Sequence, residues 1–120
     1  KSWWDTVDQI DASILPDYFK IFPQHIQPYT EKWNSSDNIW LQRSSIVFQK
    51  NFKHETNTAL LKKYIIKHLA SEEFHVQKAI GWALRAYSKT NAEWVEDFIN
   101  EHDLKPVSLR EARKILDYDE

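Results

Sequence analysis

A chain of 120 residues with 42% apolar, 28% charged and 14% aromatic residues has the composition of one globular domain. It contains no cysteine, which excludes disulfides and thiolate metal sites, and no apolar run approaches the roughly 18 residues that a membrane-spanning helix needs. The net charge of -2 hides a segregated pattern: residues 41–68 carry six Lys and Arg against one acid, between acidic stretches at 1–40 and 91–120.

Such a basic zone is either solvated helix surface or a footprint for a polyanion. With no cysteine and no secretory leader pattern, the chain is expected in the cytoplasm. Lys1 leads straight into a helical pattern without an initiating Met. Residues 1–120 are therefore read as a single domain taken from a longer protein with further repeats before it.

One glycine and four prolines leave little turn chemistry for hairpins, and an all-α chain is predicted. Helices are expected near 2–12, 15–21, 24–33, 38–51, 57–69, 72–88, 91–101 and 109–116, with breaks at Pro23, at 55–57 and at Ser71. Thr90-Asn91-Ala92-Glu93 and Ser108-Leu109-Arg110-Glu111 both have the form of a capping box and would start the last two helices.

An internal period of 35 organises these helices. Ile39-Trp40-Leu41-Gln42-Arg43-Ser44 aligns without a gap on Phe74-His75-Val76-Gln77-Lys78-Ala79. The same shift carries Asp8 onto Arg43 and then onto Lys78, and it relates Pro23, Thr58 and Glu93. This predicts three helix pairs stacked as a right-handed α-α superhelix, a HEAT-like or ARM-type solenoid, with the helix at 109–116 as its cap.

On the first helix Trp3, Val7 and Ile10 make the core stripe, leaving Trp4 and Asp8 on another face. Trp4 there either packs on a neighbouring repeat or belongs to a functional surface. In the second repeat Leu41, Ser45, Phe48 and Phe52 are expected in the core, with Ile39, Arg43 and Ile46 on a second stripe. Arg43 then either covers apolar surface with its stem or contacts phosphate through its planar fork. In the third repeat Val76, Ile80, Leu84 and Tyr87 face the core, and Trp82 lies apart, between Lys78 and Arg85. An aromatic flanked by two cations is either cation-π packing or part of a nucleic-acid surface.

Because the period superimposes Asp8, Arg43 and Lys78, these residues should line one continuous surface of the solenoid, with Trp4 and Trp82 at its ends. Other chemistries find no support. A Gly-rich phosphate loop is impossible with Gly81 alone, His25, His54, His68, His75 and His102 lack metal-ligand spacing, and no serine is presented with a base. No metal and no cofactor are expected.

The stretches Ser2-Trp3-Trp4-Asp5-Thr6-Val7-Asp8, Asp37-Asn38-Ile39-Trp40-Leu41-Gln42-Arg43-Ser44 and Lys78-Ala79-Ile80-Gly81-Trp82-Ala83-Leu84-Arg85-Ala86-Tyr87-Ser88-Lys89-Thr90-Asn91 resemble the AlkD family of DNA alkylation repair glycosylases. The chain is similar to about the C-terminal half of such proteins. The resemblance implies a HEAT-like groove that holds double-stranded DNA and excises 3-methyladenine and 7-methylguanine. It implies Asp8 as the catalytic carboxylate, Trp4 and Trp82 as aromatic walls against the deoxyribose of the lesion, and Arg43 as a backbone contact. Lys78 and Arg85, beside Trp82, are the further DNA-binding candidates. The parent protein is expected to act as a monomer, with no membrane and no metal as partners.

That chemistry suits the residues. A base alkylated at N3 or N7 is cationic and departs neutral, so it needs no general acid. A fixed carboxylate stabilises the oxocarbenium-like sugar more than the ground state, and indole faces add about 1 to 2 kcal/mol if desolvated. The chain shows no evident pocket for an extruded base, and an open groove that leaves the base in the duplex is expected. Two alternatives are a noncatalytic solenoid that only binds branched or damaged DNA, and a protein-interaction solenoid on whose surface the basic zone is incidental.

Overall fold

The structure, a computed structural model, describes residues 21–50 and 52–118. The expected helix at 2–12 and all but the last residue of that at 15–21, and with them Trp4 and Asp8, lie outside the described residues. Those described form six α-helices and no strand: α1 (Ile26–Asn34), α2 (Ile39–Val47), α3 (Thr58–Lys67), α4 (Phe74–Ser88), α5 (Ala92–Glu101) and α6 (Pro106–Tyr118). Single 3-10 turns at Pro23–His25 and Lys53–Glu55 precede α1 and α3.

Asparagine starts three of these helices, because its side-chain oxygen accepts the amide protons that the first turn leaves without partners. Asn38 Oδ1 accepts from Trp40 N at 2.9 Å, Asn57 Oδ1 from Leu60 N at 3.1 Å and Asn91 Oδ1 from Trp94 N at 3.0 Å. This corrects both expected capping boxes. Asn91, not Thr90, caps α5. Ser108 and Glu111 lie inside α6, whose start at Pro106 exploits the ring's fixed φ and missing N–H.

The helices form two layers. Helices α2, α4 and α6 pack side by side in one, while α1, α3 and α5 lie in the other. Polar contacts tie the second layer together: Glu31 of α1 pairs with Lys63 of α3, and Lys62 of α3 with Glu101 of α5. Thr30 Oγ1 and Tyr64 Oη meet at 2.7 Å, and His68 Nε2 lies 2.9 Å from the Asn34 carbonyl. The fold is an α-α superhelix.

The period of 35 recurs as a repeated hydrogen bond. Gln42 Nε2 donates to the Ser36 carbonyl at 2.7 Å, and Gln77 Nε2 to the Ser71 carbonyl at 2.7 Å. Each glutamine satisfies the loop that leads into its own helix. Gln77, 3% exposed, also reaches the carbonyls of His68 and Leu69, and Ser108 Oγ lies 2.7 Å from both its backbone O and its Oε1.

Between the layers lies a core of Ile46, Phe48, Leu61, Tyr64, Ile65, Val76, Ile80, Leu84, Val95 and Phe98. Of the expected stripe of α4, Val76, Ile80 and Leu84 are fully buried and Tyr87 packs half-buried against the core. In α2 the expectation is corrected: Ser45 and Phe48 are buried as foreseen, but Leu41 is exposed, while the stripe of Arg43 and Ile46 is buried. Helix α2 has apolar or small residues almost all round, so its periodicity could not single out one face. Both sides are covered, by α1 on one and α4 on the other.

Helix α6 approaches α4 closely at Gly81. A Cβ at Gly81 would lie 2.5 Å from Glu111 Cβ and 2.9 Å from the Ser108 carbonyl oxygen, distances that no packed side chain occupies. Glycine is thus required at 81 by the approach of α6, although it costs about 1 kcal/mol in a helix interior.

Candidate nucleic-acid interface

Trp82 sits on the face of α4 that turns away from the core, half-buried, with cations from two helices around it. The Arg43 guanidinium lies 5.4 Å from its ring centroid and the Lys78 ammonium 5.8 Å. Arg43 is also 5.7 Å from the Trp40 centroid, and Lys78 5.5 Å from that of Phe74. Trp40, Arg43, Trp82, Lys78 and Phe74 therefore form one alternating series of rings and cations across α2 and α4. Each contact supplies about 0.5 to 2 kcal/mol, more where water is excluded.

Arg43 is 2% exposed, and its Nε donates to the His75 carbonyl at 3.2 Å. Its head faces two indole rings and a backbone carbonyl. It stands behind Trp82 and joins the second repeat to the third.

Trp82 forms part of the wall of a groove of about 770 Å³. Lys50, Lys53 and His54 enter it from the connection between α2 and α3, and Arg85 and Lys89 from α4. Among the described residues no carboxylate lines it. Lys53 holds a left-handed backbone with φ of 54°, a conformation that costs a residue with a Cβ about 1 to 2 kcal/mol. Strain of that kind collects at working surfaces.

The basic zone at 41–68 is thereby divided. Lys50 and Lys53 reach the groove, whereas Lys62, Lys63 and Lys67 of α3 stay within the layer of α1, α3 and α5, where they engage Glu101, Glu31 and Ser35. Charge counting along the chain could not separate the two sets. It also missed Lys89, which helical spacing from Arg85 would have found, four residues on and one turn along the same face.

Glu111 of α6 lies behind this wall. Its Oε1 accepts from Lys114 Nζ at 2.9 Å, and its Oε2 is 3.7 Å from Arg85 Nη1. The Lys114 hydrogen bond, with the charges of Lys114, Lys78 and Arg85, holds its carboxyl below the usual carboxylate range although burial works the other way. The described residues contain no group of three or more His, Asp or Glu placed to hold a metal ion. No helix among them is long and apolar enough to cross a membrane.

Three comparisons bear on this site. The family model described as DNA alkylation repair enzyme matches residues 1–116. A solved structure, a predicted DNA alkylation repair enzyme from Enterococcus faecalis, superimposes with a TM-score of 0.88 at 38% identity. The match covers 96% of this chain and 54% of that protein, so the chain spans about half its length. No curated protein matches. A match along nearly the whole sequence, seconded by a close structural likeness, makes this chain a member of the DNA alkylation repair enzyme family.

Proposed function

We propose that the protein carrying this chain is an AlkD-type DNA glycosylase of base excision repair, which releases cationic alkylated bases such as 3-methyladenine and 7-methylguanine from duplex DNA. The observation that carries the reading is the union of an aromatic wall with a cationic groove: Trp82 stands in the same cavity as Lys50, Lys53, Arg85 and Lys89. Phosphates follow the cations, and the ring presents a flat apolar surface to the sugar.

Within this reading the lesion stays in the duplex and the groove grips the backbone. Lys78 and Arg85 contact DNA beside Trp82, and Arg43 contributes from behind the ring. Trp4 closes the other end of the sugar site. Asp8 precedes Arg43 by one 35-residue period, which is the ground for assigning it to this site.

The C1′–N bond of the alkylated nucleotide breaks with its electron pair, and the base leaves neutral. Positive charge then rests on the sugar, where the Asp8 carboxylate stabilises it and orients the water that attacks C1′. That water gives up a proton and leaves a hydroxyl on C1′. No acid is needed for the departing base, which already carries its charge.

The test is chromatographic release of 7-methylguanine from methylated duplex DNA by the full-length protein and by its Asp8→Asn variant. Release that disappears in Asp8→Asn is expected. Salt-dependent DNA binding with no release above the spontaneous rate would instead establish a noncatalytic binder, and weak, salt-insensitive binding a protein-interaction solenoid.

A further inference from the structure

Gly81 is the one glycine of the chain, and it lies mid-helix, where glycine is disfavoured. The contacts of a hypothetical Cβ with Ser108 and Glu111 show what the missing side chain admits. It lets α6 settle on α4 and so places the Glu111 carboxylate among Lys78, Arg85 and Lys114, directly behind the stretch that bears Trp82.

Glu111 is 8% exposed. Lys114 satisfies one of its oxygens, but Oε2 is buried without a hydrogen bond, 3.7 Å from Arg85. A buried carboxylate oxygen left in this way is costly and attracts the nearest cation. Arg85 is that cation, and it also lines the groove. At 3.7 Å the pair feels its mutual charge, yet the guanidinium fork is not locked onto Oε2.

We infer that Glu111 is a positioning residue for DNA binding: admitted by Gly81, its carboxylate holds Arg85 back from the groove, so that Arg85 engages a backbone phosphate only in competition with it. This rests on the reading of the groove as a DNA site. The competition lowers affinity for any duplex and so brakes binding that has no lesion to find.

Glu111→Gln removes the charge while keeping the shape and an acceptor for Lys114. In a salt titration of the protein on an undamaged duplex, followed by fluorescence anisotropy, Glu111→Gln is expected to bind about three- to tenfold tighter at low salt. Its plot of log affinity against log salt should steepen by about one, the increment for one further phosphate contact. Arg85→Ala should abolish both effects, leaving the double variant equal to Arg85→Ala alone. Glu111→Asp, which keeps the charge but draws it back by one methylene, should shift affinity the same way by less, and it carries the test should Glu111→Gln fold poorly.

Unchanged affinity and slope in both Glu111 variants would overturn the inference. So would a gain that survives in the Arg85→Ala background, since Glu111 would then act through bulk charge. Wild-type protein that shows no salt-dependent binding would overturn the DNA reading itself and this inference with it, an outcome visible before any variant is compared.

Discussion

The Arg43 guanidinium lies 5.4 Å from the centroid of the Trp82 indole, so the aromatic wall of the groove on α4 is braced by a buried cation from the preceding repeat. The pair crosses the junction between repeats. Its loss should therefore be felt both in stability and at the groove.

A double-mutant cycle of Arg43→Ala and Trp82→Ala, read by denaturant unfolding, is expected to show a coupling of about 1 kcal/mol. On the proposed glycosylase reading, each single variant of the full-length protein should also lower release of 7-methylguanine by tenfold or more. Independent effects on unfolding would mean that the contact is incidental.

Gln77 satisfies more backbone than Gln42 does, and the difference should appear in stability. Gln77→Ala leaves the partly buried carbonyls of Leu69 and Ser71 without their side-chain donor, takes one of two donors from the His68 carbonyl and removes an acceptor from Ser108, at an expected cost of about 2 to 3 kcal/mol. Gln42→Ala breaks one partly buried hydrogen bond, to Ser36, and should cost about 1 kcal/mol. Urea unfolding of the two variants side by side decides the order.

Lys53 stores strain at the groove. Lys53→Gly is expected to stabilise the fold by about 1 kcal/mol, because glycine adopts a φ of 54° without steric conflict. If the groove is a DNA site as proposed, the same variant should weaken duplex binding and reduce its salt slope by about one, the loss of one phosphate contact. Thermal unfolding and anisotropy on the same preparation check both directions.

His68 makes stability depend on pH. Burial holds its imidazole below the ordinary value of 6.5, with the Asn34 carbonyl opposing the shift and Lys67 adding to it. The neutral ring donates Nε2–H to that carbonyl. Below pH 6.5 the unfolded chain takes up a proton that folded His68 refuses, so stability falls as the pH drops from 6.5 through the depressed folded value. Unfolding midpoints are expected to decline between about pH 7 and pH 5, and His68→Gln should flatten that decline.

The sequence by itself determined the helical class and the repeat. Among the described residues helix starts could be placed within two or three residues, and the 35-residue register was visible in the glutamine with which the second and third repeats satisfy their loops, Gln42 and then Gln77. The flanking of Trp82 by Lys78 and Arg85 was also legible, since helical spacing alone puts residues three and four apart on one face. Capping was less so, because Asn91 competes with Thr90 for the same role, and a Ser followed by Glu three residues on reads alike at a helix start and inside one.

Only the tertiary structure decided which cations share a site. Lys53 and Lys89 are 36 positions apart and meet in one groove, whereas Lys62 and Lys63, in the same basic zone, stay within the layer of α1, α3 and α5. It also decided that Arg43 is buried and that Gly81 admits Glu111. The physical reason is common to all of these: local propensity and period act along one helix, but the partner of a side chain is set by how helices pack, and packing depends on residues far apart in the chain.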